Sequence, residues 1–81
     1  MTAKKLIGFS TTRTPRSKDH RYYSTRDNDN SPKEALQAYR QENPRKRRVY
    51  PVYIETEGDY RMFTEPALYI AQAEELTNND N

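Results

Sequence analysis

Val49-Tyr50-Pro51-Val52-Tyr53-Ile54-Glu55-Thr56-Glu57-Gly58-Asp59-Tyr60-Arg61-Met62-Phe63 reads as a strand, a tight turn and a returning strand. Residues 49–56 alternate strictly, with Tyr50, Val52 and Ile54 on one face and Val49, Pro51 and Tyr53 on the other. Pro51 has no N–H for a ladder, so the pattern favours an edge strand or a bulge. Glu57-Gly58-Asp59 supplies the turn, with Gly58 free to take a positive φ. Tyr60 to Phe63 returns beside the first strand.

Helix signals flank this hairpin. Upstream, Ser31-Pro32-Lys33-Glu34 is a helix start: Ser31 caps, Pro32 occupies the first turn where its missing N–H is not needed, and Glu34 closes a capping box. The helix runs on with Ala35, Leu36 and Tyr39 as its apolar stripe. It stops near Asn43, because Pro44 disfavours helix in the residue before it. Downstream, Thr64 reads as the cap of a second helix with Glu65 near its positive end. Pro66, Tyr69, Ile70, Ala73 and Leu76 would share its buried face. Thr77 to Asn81 is polar and reads as fraying, with 78–81 a disordered tail.

Residues 4–12 read as a first strand, with Ile7 and Phe9 alternating against Leu6, Gly8 and Ser10. Thr11 to His20 is a polar, basic loop containing Pro15. Arg21 to Thr25 is a second strand carrying Tyr22 and Tyr23, joined to the first by a long mobile connection. Asp27-Asn28-Asp29-Asn30 breaks the chain before the helix. The order ββαββα predicts a single small α+β domain over residues 1–77, a four-stranded, mostly antiparallel sheet with two helices on one face. The alternative is an ordered unit over 31–77, with 1–30 a flexible hairpin or arm that orders on a partner.

Composition sets the limits. Leu, Ile, Val and Phe together number 11 of 81 residues, below the roughly 20% at which disorder becomes a concern. Seven tyrosines compensate in part, each burying a ring while keeping a polar tip. There is no cysteine, which excludes disulfides and thiolate metal sites and suits a reducing cytosol. Met1 to Phe9 has too short an apolar run for a signal peptide, and no stretch is long enough to span a membrane. The expectation is a cytoplasmic protein without membrane contact.

Charge is strongly polarised. Residues 1–54 hold 13 of the 14 Lys and Arg and 5 of the 12 Asp and Glu, a balance of +8, whereas residues 55–81 hold Arg61 against seven acids, a balance of −6. The basic maximum, Arg45-Lys46-Arg47-Arg48, leads directly into the tyrosine-bearing strand. A second basic group is Arg13, Arg16, Lys18 and Arg21, interspersed with Ser and Thr. Lys4 and Lys5 add charge at the start of the first strand.

Catalytic patterns are missing. His20 is the one histidine and sits beside Asp19 in a loop, where a solvated side chain is the ordinary outcome. Two glycines cannot build a phosphate-cradling loop. Glu55, Glu57 and Asp59 crowd a turn, and they read better as solubilising acids than as cation ligands. No cofactor, metal site or enzymatic role is expected. The predicted function is a non-enzymatic protein that docks on nucleic acid or a nucleoprotein. Arg45, Lys46, Arg47 and Arg48, supported by Arg13, Arg16, Lys18 and Arg21, would neutralise phosphates, and Tyr50 or Tyr53 would supply a stacking ring.

The alternative is a protein-binding regulator or inhibitor, of the kind viruses and plasmids encode, that occupies a charged site on a host protein. Tyr53, Tyr60 or Tyr69 would then be anchors, and an edge at Pro51 would accept a partner strand. The two-signed charge also permits self-association, basic end to acidic end.

Overall fold

β3 (Arg48–Glu55) is the strand to which most of the sheet is paired. The computed structural model describes residues 3–78. β1 (Lys4–Ser10) lies along one side of β3, and β2 (Tyr22–Ser24) lies outside β1. β4 (Met62–Thr64) and β5 (Leu68–Tyr69) share the other side of β3, end to end. All pairings are antiparallel, and the order is β2-β1-β3-β4 with β5 beyond β4 along β3. Helices α1 (Pro32–Glu42) and α2 (Ile70–Asn78) contact each other; α1 packs on β1 and β2, and α2 on β3 and β5. The result is an open α+β fold, as the element order predicts, with a fifth short strand added.

The central position of β3 corrects the expectation drawn from Pro51. An antiparallel residue points its N–H and C=O to the same side. The Pro51 carbonyl accepts from the Glu65 amide at 3.0 Å, so the proline nitrogen faces that side as well. Pro51 falls between the β4 pairing (Val52 to Ile54) and the β5 pairing (Arg48 and Val49). The missing donor is placed at the seam between two partner strands, so neither an edge nor a bulge in β3 is needed.

A bulge does occur in β1. Leu6 pairs with Tyr53 and Gly8 with Val52, leaving Ile7 as the extra residue. One extra residue reverses the alternation. Leu6 and Phe9, not Ile7 and Phe9, therefore share the core face; they are 4% and 0% exposed. Along that face Tyr23, Phe9 and Pro51 form one row, and Leu6, Tyr53 and Phe63 the next. Ala35, Leu36 and Tyr39 of α1 and Ala73 of α2 complete the cluster. Tyr23 meets Tyr39 edge-on at 5.5 Å between ring centres. The Tyr39 hydroxyl donates to the Arg48 carbonyl at 2.7 Å.

α1 begins where its sequence signals place it. The Ser31 Oγ accepts from the Glu34 amide, and Pro32 opens the first turn. The Ser31 N–H itself goes to the Asn28 carbonyl. Asn43 closes the helix, its amide and its Nδ2 both donating to the Tyr39 carbonyl.

α2 begins five residues later than the Thr64 cap predicts. Thr64 ends β4, and residues 65–67 cross the Pro51 seam. Leu68 and Tyr69 then gain ladder partners in Val49 and Arg48. The Tyr69 amide donates to Gln72 Oε1, and the Ile70 amide to the Arg47 carbonyl, so the true start is capped from Gln72 and from the connector. Glu65 does not serve the helix end; it pairs with Lys4 at 2.9 Å. Thr77 is buried and helical rather than frayed, and Asn78 is helical; the rest of the expected tail, 79–81, lies outside the described residues.

Candidate functional site

The register places both basic groups at one end of the sheet. Ser10, the last residue of β1, pairs with Tyr22 at the start of β2 and with Tyr50 near the start of β3. The loop 11–21 therefore leaves and re-enters beside the connector 43–47 that feeds β3. Arg13, Arg16, Lys18 and Arg21 stand on the loop; Arg45, Lys46, Arg47 and Arg48 stand on the connector and the first position of β3. All eight are exposed. Asp19 is the one acid of these segments, and Glu42, the last residue of α1, precedes the connector. The opposite end carries Glu55, Glu57 and Asp59 of the hairpin and the turn with Asp27 and Asp29, together with the cations Lys4, Lys5, Arg26 and Arg61, so its charges nearly balance.

Ion pairs among the described residues join Lys4 to Glu65, Arg40 to Glu74, and Arg61 to Asp59. None of these pairs involves the eight cations. Arg48 has a local role: its guanidinium lies 5.0 Å from the centre of the Tyr69 ring and donates to the Tyr69 hydroxyl at 3.2 Å. Arg40, in the last turn of α1, shares a shallow groove with Lys46 and Arg47 at this end, but its charge is paired with Glu74.

The loop is braced rather than open. The Ser10 hydroxyl donates to the Thr12 carbonyl at 2.7 Å, and Thr11 Oγ1 donates to the Asp19 carbonyl and accepts from the Arg21 amide, both at 2.8 Å. His20 Nδ1 lies 2.8 Å from Thr12 Oγ1, so the histidine ties the two limbs together. The long mobile connection expected between the first two strands is thus a folded loop, because Thr and Ser side chains satisfy its backbone.

No protein-family model, curated protein or solved structure matches this chain. What the site can do follows from its own chemistry. The two tyrosines after the basic run separate by face. Tyr53 is 9% exposed, stacked on Phe63 at 5.8 Å, with the Lys4 ammonium 4.4 Å from its ring centre. It is a core residue and not a surface ring. Tyr50 is half-buried on the other face, in one row with Ser10 and Tyr22.

That outer face carries no helix. Its rows are Tyr22, Ser10 and Tyr50; Ser24, Gly8, Val52 and Thr64; then Lys5, Ile54 and Met62. Tyr22 and Met62 are 40% and 59% exposed. Burial raises the Tyr22 phenol above its usual pKa, with the Asp27 charge adding to the effect. Sequence reading missed Tyr22 and Met62 as surface groups. The available signal was alternation: Tyr22 and Tyr23 are neighbours, so one must point outward.

Among the described residues no group of three or more acids and histidines is placed to hold a metal ion. Among them, too, no helix is long and apolar enough to cross a membrane.

Proposed function

We propose that this chain is a small non-enzymatic binding protein that docks on nucleic acid, alone or within a nucleoprotein, through its basic end. The observation that carries the reading is the double pairing of Ser10 with Tyr22 and Tyr50, which gathers eight exposed cations, outside every ion pair among the described residues, from two sequence segments. A cluster of this kind displaces counterions from a phosphate backbone and binds with steep salt dependence. Arg45, Lys46 and Arg47 on the connector, and Arg13, Arg16, Lys18 and Arg21 on the braced loop, are the phosphate contacts. Arg48, tied to Tyr69, is the geometrically fixed one. Titration of labelled oligonucleotides at several salt concentrations tests the reading. Wild type should bind at low salt and lose affinity steeply as salt rises, and the Arg45/Lys46/Arg47/Arg48→Ala protein should bind much more weakly. Equal and negligible binding by both proteins at low salt would refute it.

A second reading, a regulator that occupies a charged site on another protein, draws support from the far end. Tyr60 and Met62 are 64% and 59% exposed on the acidic hairpin, an apolar pair of the kind protein contacts use. Purification from nuclease-treated lysate separates the two: a stoichiometric protein retained at high salt favours the second, and nucleic acid alone favours the first.

A further inference from the structure

The outer face of the sheet offers more than charge. A cleft of about 440 Å³ lies there, lined by Arg13, His20, Tyr22, Val52, Met62 and Thr64 among others, with no acid in its lining. The volume falls in the roughly 300–1,000 Å³ range of sites that hold small flat ligands. Its floor is apolar and aromatic, and Arg13 is the one Lys or Arg in its lining. Tyr22 is held in place twice. Its ring packs against Gly8, where a Cβ would come within 2.6 Å of it, and its hydroxyl donates to the Ile7 carbonyl at 3.1 Å. A ring fixed across a sheet, with Arg13 in the same cleft, is a stacking platform that requires little ordering when a ligand arrives.

We infer that this cleft receives an unpaired base, so that the preferred ligand is single-stranded nucleic acid whose phosphates lie on the basic end. The inference rests on the nucleic-acid reading above and deepens it. Charge complementarity selects an anionic ligand, because Arg13 lines the cleft, the basic loop that carries it borders the cleft, and no acid lines it. The aromatic floor then selects a ligand with an accessible π face. A duplex hides its base faces in the stack, whereas a single strand presents them.

The test compares three labelled ligands of one length at fixed salt: a single-stranded oligonucleotide, its duplex, and a single strand with abasic sites throughout. The single strand should bind at least tenfold more tightly than either of the others. Tyr22→Leu should weaken single-strand binding by roughly 5- to 100-fold, the effect of losing one base stack, while leaving duplex affinity unchanged. The abasic comparison uses the native protein, so a Tyr22 variant that fails to fold does not spare the inference. Equal affinity for all three ligands, still sensitive to Arg45/Lys46/Arg47/Arg48→Ala, would overturn the base cleft and leave the basic end standing. Absence of binding to every ligand at low salt would overturn both.

Discussion

Gly8 and Tyr22 are in contact across β1 and β2: a Cβ on Gly8 would sit 2.6 Å from a Tyr22 ring carbon and 2.6 Å from the Tyr23 carbonyl oxygen. The ring could swing aside, but the carbonyl belongs to the paired strand. Gly8→Ala should therefore force β2 away from β1 and destabilise the fold by roughly 1–3 kcal/mol, the usual effect of overpacking. Urea denaturation of the two proteins measures it. A loss below about 0.5 kcal/mol would show that the strands separate freely there.

Ser31 controls the start of α1. Its hydroxyl accepts from the Glu34 amide at 3.3 Å. Ser31→Ala should lower stability by about 0.5–2 kcal/mol, and Ser31→Asp should restore most of it, since an aspartate caps equally well. Thermal unfolding followed by circular dichroism reads both. An aspartate no better than alanine would remove the cap from the account.

Tyr39 makes the fold alkali-sensitive. Its phenol is pushed up to about 12, chiefly by burial, with the Tyr23 and Tyr50 phenols adding to the effect. An unfolded tyrosine ionises near 10. Between those values the folded chain holds a proton that the unfolded chain has released, so stability falls as pH rises. The contribution is complete below pH 10 and should drop by on the order of 2 kcal/mol by pH 12. Absorbance at 295 nm should resolve one late-titrating tyrosine, missing in Tyr39→Phe. Simultaneous titration of all seven near pH 10 in a chain still folded would contradict this.

Tyr60 holds a positive φ of 54°, a conformation a bulky residue rarely adopts. Its ring is largely exposed, so little packing offsets the strain. Tyr60→Gly should stabilise the hairpin by about 0.5–1 kcal/mol, while Tyr60→Ala, which keeps the β-carbon, should not. Denaturation midpoints of the pair decide it; equal midpoints would mean that the turn is not strained.

The basic end should be replaceable without harm to the fold. Arg45, Lys46 and Arg47 are exposed and outside every ion pair among the described residues. Arg45/Lys46/Arg47→Ala should leave stability within about 0.5 kcal/mol of wild type. In the binding assay, each phosphate contact removed should lower the salt slope by about one. A large stability loss would assign these residues to the fold instead.

The sequence was most legible where one short signal sufficed. Ser31-Pro32 placed α1, Pro44 ended it, and Gly58 marked the hairpin. It was misleading wherever a residue answers to a partner far along the chain. Pro51 suggested an edge because its missing donor was visible and the seam between β4 and β5 was not. Ile7 looked like core because a bulge leaves no mark in a seven-residue alternation. Thr64-Glu65-Pro66 imitated a helix start, while the real one depended on Gln72 and on the Arg47 carbonyl. The two basic groups were visible as composition. Their meeting at one end depended on the register of Ser10, which no local pattern encodes.

The length of β3 has a consequence for how a partner senses this molecule. Seven steps of extended chain, at ~3.3 Å each, separate Arg48 from Glu55 by roughly 23 Å. In physiological salt an exposed charge is screened over about 8 Å. A polyanion approaching the basic end thus feels little repulsion from the acidic hairpin, and the formal charge of +2 describes neither encounter. The spacing that keeps the basic end independent of the mixed charges at the other is set by one strand.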